Sequence, residues 1–397
     1  MAEKRILIFA HNLELGGAEG ALIGLLRALA REEVRTELFL MRHTGPLMAH
    51  IPQEVELLPE LPGYASLAVP IKDALGRGQL GVALGRAVGK LAAKGKRSRG
   101  ESMIGLEYSH KFTRPFLPKV GRGEYDLVIS FLTPHYFAAE KVRAKKRMAW
   151  VHTDYTQLAL DRASEERMWR RYDRIAAVSP AVAEGFAGVF PALGERVVVM
   201  ENLLPVERIL ASAGAGCPGD FTGETRLLSV GRFCHAKNFD RVPDICRGLL
   251  ERGLDVTWYL IGFGPGEGLI RQRIRETGME DRVIILGQRE NPYPYMASCD
   301  LYVQPSRYEG CAVAVREAQL LGRPVVITRY PTSAAQLTDG FDGIIVPMDD
   351  FGCAAGIEKL LRDPQKRRTL GENARRRSQP GLEQVREMLR WMEGEGC

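Results

Sequence analysis

The chain has 397 residues, 45% hydrophobic and 26% charged, a balance that fits a globular enzyme and excludes disorder, collagen and a disulfide-stapled scaffold as the main class. At roughly 150 residues per domain, the length predicts two or three domains. The formal net charge is +6, but residues 72–122 hold 12 basic and 3 acidic residues, so this stretch carries +9 and the remainder −3.

Residues 5–10 (RILIFA) are a short apolar run of the kind that suits a buried parallel strand. Its apolar core of about five residues is shorter than a secretory signal requires. No uncharged apolar run approaches the ~20 residues needed to span a bilayer. Gly16 and Gly17 come next, then ALIGLLRALA at helical spacing, so the chain opens as a strand–turn–helix unit. Further strands are predicted at 36–41, 126–131, 147–152, 174–179 and 197–200, separated by helical or mixed segments. This alternation argues for a parallel sheet covered on both faces.

Within 66–120, Leu, Val and Ala recur at helical spacing with Lys and Arg between them, most densely at Lys90, Lys94, Lys96, Arg97 and Arg99. Two readings stand: an amphipathic basic helix lying on an anionic membrane, or a solvated helix packed on the first sheet. Residues 211–225, rich in Gly, Ala and Ser, read as a linker. A second alternating set has strands at 226–231, 256–262, 283–287, 300–306, 323–328 and 343–347. The fold class is therefore α/β, with two doubly wound units in series. Near the end, Leu382, Val385, Met388, Leu389 and Met392 share one helical face, which needs an apolar partner. The seven cysteines all follow residue 216, are odd in number and show no C-x-x-C spacing. That pattern disfavours zinc and disulfides and makes a reducing cytosol the simplest expectation.

Open α/β sheets bind ligands at the carboxyl ends of their strands. Gly16-Gly17 sit at such an end, where glycine lets backbone N–H groups approach a phosphate or simply makes a tight turn. GFGPG at 262–266 invites a dinucleotide reading, but position 267 is Glu where the fingerprint needs Gly. The next strand ends in Gly287-Gln288-Arg289 and not in an acidic residue, so a nicotinamide site is disfavoured. Arg232 and Lys237 flank the loop after the strand at 226–231 and suit a diphosphate, Arg as a fork and Lys as a point charge; the alternative is ordinary surface charge. Glu309 lies in a turn and Glu317 in the second turn of a helix expected to start near Cys311. Two carboxylates beside a helix N-terminus can hold vicinal hydroxyls and a phosphate together; the alternative is two exposed glutamates.

The E-x7-E pair, the G-R-F-x4-K-N loop, the L-I-G-x-G-P segment and the early G-G-A-E resemble the retaining glycosyltransferases of the GT-B fold, in particular the GT4-type enzymes of capsule, exopolysaccharide and lipopolysaccharide assembly. The resemblance covers nearly the whole chain and is strongest over 226–350. It implies an acceptor-binding domain at 1–205, a nucleotide-sugar domain at 206–380 facing it across a cleft, and a helix at 381–397 crossing back to the first domain. It also implies that Glu317 holds ribose hydroxyls and Glu309 donor-sugar hydroxyls. Gly310, Cys311, Ala312 and Val313 would offer backbone N–H groups to sugar and diphosphate, and Arg232 and Lys237 would neutralise the diphosphate. Gly16 and Gly17 would close on the donor, and Gly287, Gln288 and Arg289 would line the base. His152, at the end of the strand 147–152, matches a position where the family often places a histidine near the transferred sugar; otherwise it is a core or capping histidine. Relatives often carry a bulky apolar residue where this chain has Cys311, which bears on the donor sugar and not on the reaction.

The implied reaction uses no cofactor and no metal, since no D-x-D pattern follows a strand. The donor is a nucleotide sugar, with UDP the family's usual choice, and the acceptor is a glycan or a lipid-linked glycan. The expected location is the cytoplasm, with peripheral contact at the inner membrane face through 72–122. Three other readings compete: a nucleotide-sugar 2-epimerase, a non-catalytic nucleotide-sugar-binding subunit, and a nucleic-acid-binding protein. The last lacks interleaved aromatics and helix-turn-helix spacing.

Overall fold

The short apolar runs become strands of two parallel sheets. The structure, a computed structural model, describes residues 4–94, 96, 101–132, 135–377 and 381–394. The chain divides into two units, Met1–Leu203 together with Gly381–Cys397, and Leu204–Pro380.

The first unit contains β1 (Arg5–Ala10), β2 (Arg35–Leu40), β3 (Glu56–Leu57), β4 (Glu101–Ser102), β5 (Glu124–Ser130), β6 (Arg143–Val151), β7 (Leu158–Ala159), β8 (Arg174–Ala177) and β9 (Val197–Val199). Seven of these form one parallel sheet in the order β3-β2-β1-β5-β6-β8-β9, and β4 pairs with β7 separately. In β1 every residue after Arg5 is buried, because helices cover both faces of a parallel strand and leave no solvent side to alternate with. Two-residue strands such as β3, β4 and β7 carry no readable period, and they are absent from the sequence reading.

The helix Leu382–Glu393 belongs to this first unit. Its Val385, Met388, Leu389 and Met392 are buried, and Leu382 is half-buried. The Lys146 ammonium and the Arg174 guanidinium lie 4.8 and 5.2 Å from the centre of the Trp391 ring. Arg386 reaches Glu32 at 3.2 Å, and Lys4 pairs with Glu393.

Among the described residues of 71–116, two long helices pair as a hairpin. Leu80–Lys94 packs on Ile104–Thr113 through three glycines spaced one turn apart. A Cβ at Gly81 would come within 2.6 Å of the Phe116 side chain, one at Gly85 within 2.6 Å of the Phe112 carbonyl oxygen, and one at Gly89 within 2.7 Å of the Tyr108 carbonyl oxygen. Glycine is unfavourable inside a helix by about 1 kcal/mol against alanine, so its threefold use here reflects the close approach of the second helix. The basic stretch is not a single free patch. Arg86 turns inward to the carbonyls of Ser66 and Val69, Lys96 pairs with Asp161, Arg114 with Glu140 and Arg122 with Glu56, and Lys111 donates to Ser164. Arg97 and Arg99 lie outside the described residues.

The second unit holds β10 (Thr225–Val230), β11 (Val256–Ile261), β12 (Val283–Gly287), β13 (Leu301–Gln304), β14 (Val325–Thr328) and β15 (Ile344–Val346), in the parallel order β12-β11-β10-β13-β14-β15. Residues 211–225 are not the loose linker their composition suggests. The helix Val206–Ala213 takes their first part. Phe221 is buried, with ring centroids 4.6 Å from Tyr259 and 5.4 Å from Tyr295, while the Tyr259 hydroxyl donates to the Thr222 carbonyl at 2.7 Å. One aromatic residue anchors a segment that its glycines leave unpatterned. Among the described residues, no helix is long and apolar enough to cross a membrane.

Candidate functional site

The strand ends of the second sheet build the site. β10 runs into the loop 231–241, and β13 into the loop 305–312. Arg307 joins them: its guanidinium donates to the His235 carbonyl at 2.6 Å and to both Asp240 carboxylate oxygens at 3.1 and 2.8 Å, and its N–H donates to the Ala236 carbonyl at 2.7 Å. Asn238 completes the first loop in the left-handed region at φ 60°. This clamp carries Lys237 to Glu309, where its ammonium donates to both carboxylate oxygens at 2.7 and 2.9 Å.

Glu309 is held from beneath by a chain of buried polar groups. Ser306 Oγ donates to Glu309 Oε1 at 2.5 Å and Gln304 Nε2 at 3.3 Å. Gln304 also donates to Ser306 Oγ at 2.9 Å, and its own Oε1 accepts from the Tyr302 hydroxyl at 2.9 Å. The Thr332 hydroxyl donates to the Glu309 backbone carbonyl at 2.8 Å. A carboxylate fixed this way keeps one rotamer, which is what a hydroxyl-binding group requires. Arg232 lies on the same loop as Lys237, exposed and without an ion pair among the described residues.

The expected helix at Cys311 begins at Val313, with Ala312 at its cap. The Ala312 N–H is committed to Gln336 Oε1 at 2.7 Å, so it is not open to a ligand as the sequence reading supposed. Gly310 and Cys311 are half-buried in the same loop. Two buried polar atoms near this loop have no partner among the described residues, the Tyr330 hydroxyl and Gln336 Nε2. Glu317 sits one turn into the helix, and its Oε1 accepts from the Tyr293 hydroxyl at 2.9 Å. Burial raises its carboxyl to about 7, against the opposing effects of the Tyr293 hydrogen bond and the nearby Arg208 charge. Arg208 lies 5.7 Å over the Tyr293 ring.

At the end of β12, Gly287 takes φ 74°, Gln288 is exposed, and Arg289 is tied to Asp220 at 2.8 Å and to the Tyr295 hydroxyl at 3.2 Å. The glycines at 262 and 264 serve packing. With φ 151° each, they let their loop lie against residues 231–233, and a Cβ at Gly262 would stand 1.9 Å from the Gly231 carbonyl oxygen.

Three predicted residues belong to the first unit. Gly16, extended at φ −165°, caps the helix Gly17–Leu29 that follows β1, and Gly17 is its first residue. His152 follows β6. Its Nε2 lies 2.8 Å from the Phe131 carbonyl, an acceptor, so Nε2 carries the proton. Burial pushes the ring down to about 4, and Nδ1 is buried with no partner among the described residues. The neutral ring therefore keeps an unprotonated Nδ1 that no described residue engages.

The structure thus brings Lys237, Glu309 and Gly310 to one loop pair, and holds Glu317 on the helix that leaves it. Sequence reasoning missed Gln304, Ser306, Tyr293, Arg307, Tyr330 and Gln336. Gln304 and Ser306 alternate on the strand end just ahead of Glu309, a visible signal for a shared face; the others lie at separations no local pattern links.

Residues 218–377 match the family described as glycosyl transferases group 1. This segment is a glycosyl transferases group 1 domain. The chain is 32% identical over 151 residues to alpha-D-kanosaminyltransferase of Streptomyces kanamyceticus, a match covering 37% of this chain and 39% of that one. To the lipopolysaccharide core biosynthesis glycosyltransferase LpsE of Rhizobium meliloti it is 26% identical over 207 residues, covering 51% and 58%. These matches span about two fifths to three fifths of the relatives' own length. Among solved structures, Anabaena HepE in complex with UDP aligns over 99% of this chain and all of its own, with TM-score 0.64 and 18% identity. Sucrose-phosphate synthase from Thermosynechococcus elongatus aligns over 99% of this chain and all of its own, with TM-score 0.69 and 18% identity. The fold is that of the GT-B glycosyltransferases, two parallel-sheet α/β domains.

Proposed function

We propose that the chain transfers a sugar from a nucleoside diphosphate sugar, UDP-linked, to a glycan or lipid-linked acceptor in cell-surface polysaccharide assembly, with retention of anomeric configuration and no metal ion. The observation that carries this reading is the Lys237–Glu309 pair locked over the buried Gln304–Ser306 chain inside the glycosyl transferases group 1 domain. The UDP named in the HepE complex and the lipopolysaccharide role named for LpsE support the donor and the pathway class.

In this reading Glu317 accepts hydrogen bonds from the ribose hydroxyls, and Glu309 from hydroxyls of the donor sugar. The bond from the anomeric carbon to the β-phosphate oxygen breaks, its electron pair stays on the diphosphate, and the acceptor oxygen bonds to the same carbon on the same face. The acceptor's proton passes to the departing phosphate oxygen. Charge grows on the diphosphate, and in this reading Arg232 and Lys237 neutralise it, a contribution of roughly 2–4 kcal/mol for one such donor. His152 accepts a hydroxyl hydrogen bond at Nδ1. The metal-free reading rests on these two cations taking the neutralising role.

A thermal-shift panel with UDP, GDP, ADP and NAD tests it. Ligand at 100 times its dissociation constant stabilises by about 2.7 kcal/mol, so UDP should raise the melting temperature of the wild type and not of Glu317→Ala. Absence of any shift with a nucleoside diphosphate would reject the transferase reading in favour of a binding role. NMR of the glycoside formed then reads its anomeric configuration; inversion would remove retention from the proposal.

A further inference from the structure

The helix Leu80–Lys94 has three faces, and the fold uses only part of them. Its glycine face seats the partner helix, and Val82 and Ala83 are buried. Adjacent to the glycine face, Leu80, Leu84, Val88 and Leu91 recur at helical spacing as a ridge, and each is between 38% and 67% exposed. Leu75, on the preceding helix Ile71–Gly76, is exposed as well. Of the fourteen large apolar side chains exposed among the described residues, five fall between positions 75 and 91. Scattered exposed leucines need no explanation, but a concentrated row of them marks an interaction surface.

The charges around the ridge indicate what it meets. Lys72, Arg77, Lys90 and Lys94 are exposed and form no ion pair among the described residues. By helical spacing Lys90 and Lys94 flank the ridge on the side away from the glycines. Asp73 is the single carboxylate in residues 71–94, and Arg86 is turned inward to the Ser66 and Val69 carbonyls. A second copy of the chain is a poor match, since a twofold contact along the ridge brings together two cationic segments whose single carboxylate is Asp73. An anionic lipid surface satisfies both features, taking the leucines at the headgroup boundary and the ammonium groups at the phosphates.

We propose that Leu80–Lys94 is an interfacial membrane anchor that lies in the plane of an anionic bilayer, with Leu80, Leu84, Val88 and Leu91 inserted and Lys90 and Lys94 on the lipid phosphates. The glycines give the arrangement its logic: they let the helix be held by the fold along one narrow face while the neighbouring face stays free. This inference stands apart from the sugar-transfer reading and does not require it.

The full chain is mixed with vesicles of phosphatidylcholine, with and without phosphatidylglycerol, and sedimented. Wild type should bind the anionic vesicles and not the neutral ones. Leu80→Asn/Leu84→Asn/Leu91→Asn and, separately, Lys90→Gln/Lys94→Gln should each weaken binding about tenfold or more, as loss of apolar insertion or of two phosphate contacts demands. These substitutions are on exposed positions, so any UDP shift should match wild type and the melting temperature should fall by no more than the few degrees that asparagine's weaker helix propensity costs. A Leu84→Trp variant should be quenched by lipids brominated in the acyl chain. Three outcomes overturn the proposal: no binding to anionic vesicles; full binding by the triple variant, which would leave charge alone; or a wild-type dimer that the triple variant converts to monomer, which would assign the ridge to a second copy.

Discussion

His152 carries its single proton on Nε2, because that nitrogen faces the Phe131 carbonyl while burial disfavours the charged ring. Its Nδ1 should therefore titrate far below neutrality, with a nitrogen chemical shift of an unprotonated imidazole from pH 5 to 8; a doubly protonated ring at pH 6 would remove the acceptor role. Lys237 is different in kind, since it holds Glu309 as well as facing the diphosphate in the proposed reaction. Lys237→Met should lower kcat about 10²- to 10³-fold, the cost of one preorganised charge donor. It should also lower stability, because the 10% exposed Glu309 side chain loses its countercharge. Lys237→Arg, which keeps the charge, should recover most of the stability and less of the rate. Both residues were visible in the sequence as strand-end candidates. The ion pair between positions 237 and 309 was not, because 72 residues separate them and the pairing of β10 with β13, together with the Arg307 clamp, brings the two loops side by side. The Ala312 N–H was misjudged for the same reason: its acceptor, Gln336, lies 24 residues downstream.

Elements were legible where burial imposes a period. Every strand of four residues or more in the two large sheets coincides with an apolar run in the sequence, offset by a few residues at most at its ends. The hairpin of Leu80–Lys94 and Ile104–Thr113 was legible only as a helical pattern, since spacing shows that Gly81, Gly85 and Gly89 share a face but not what lies against it. Gly85→Ala should cost about 1–3 kcal/mol through overpacking against the Phe112 carbonyl; thermal denaturation measures it, and a neutral result would mean that the helices can separate freely. The second helix of this hairpin, Ile104–Thr113, and the helix Arg162–Trp169 each hold a buried carboxyl. Glu107 is raised to about 8 and Glu165 to about 7, both chiefly by burial, and Tyr136 donates to Glu165 at 2.6 Å. A raised carboxyl favours the protonated folded state. Its stabilisation is complete below the unfolded value near 4.5 and is lost as pH rises through about 7 to 8. The melting temperature should fall by several degrees between pH 5 and pH 8.5, and Glu107→Gln/Glu165→Gln should flatten that fall. An unchanged slope in the double variant would place the pH dependence elsewhere.

The whole molecule is two units of which the first is discontinuous in sequence, with the helix Leu382–Glu393 set on residues 4–203. Met388→Ala should cost about 2–5 kcal/mol, as for other buried methionines. Hydrogen exchange should locate the loss in the first unit, with amides of β10 to β15 unaffected; equal loosening of both units would show that they unfold as one. The amphipathic face of this helix could be read directly, but its neighbour in the first unit, the helix Gly17–Leu29, could not, since helical period specifies a face and says nothing of what it meets.

That discontinuity has a consequence during synthesis. The ribosome delivers residues 4–203 first, then the whole of the second unit, and only afterwards the segment that covers the apolar seat on the first. The second unit, contiguous in the chain, can reach its native state while the first still waits with an open hydrophobic surface. A nascent chain of this kind is exposed to chaperones and proteases for the time it takes to translate some 180 residues. A premature stop between residues 204 and 380 leaves that surface bare, so such a truncated product stays open to removal however well its second unit has folded.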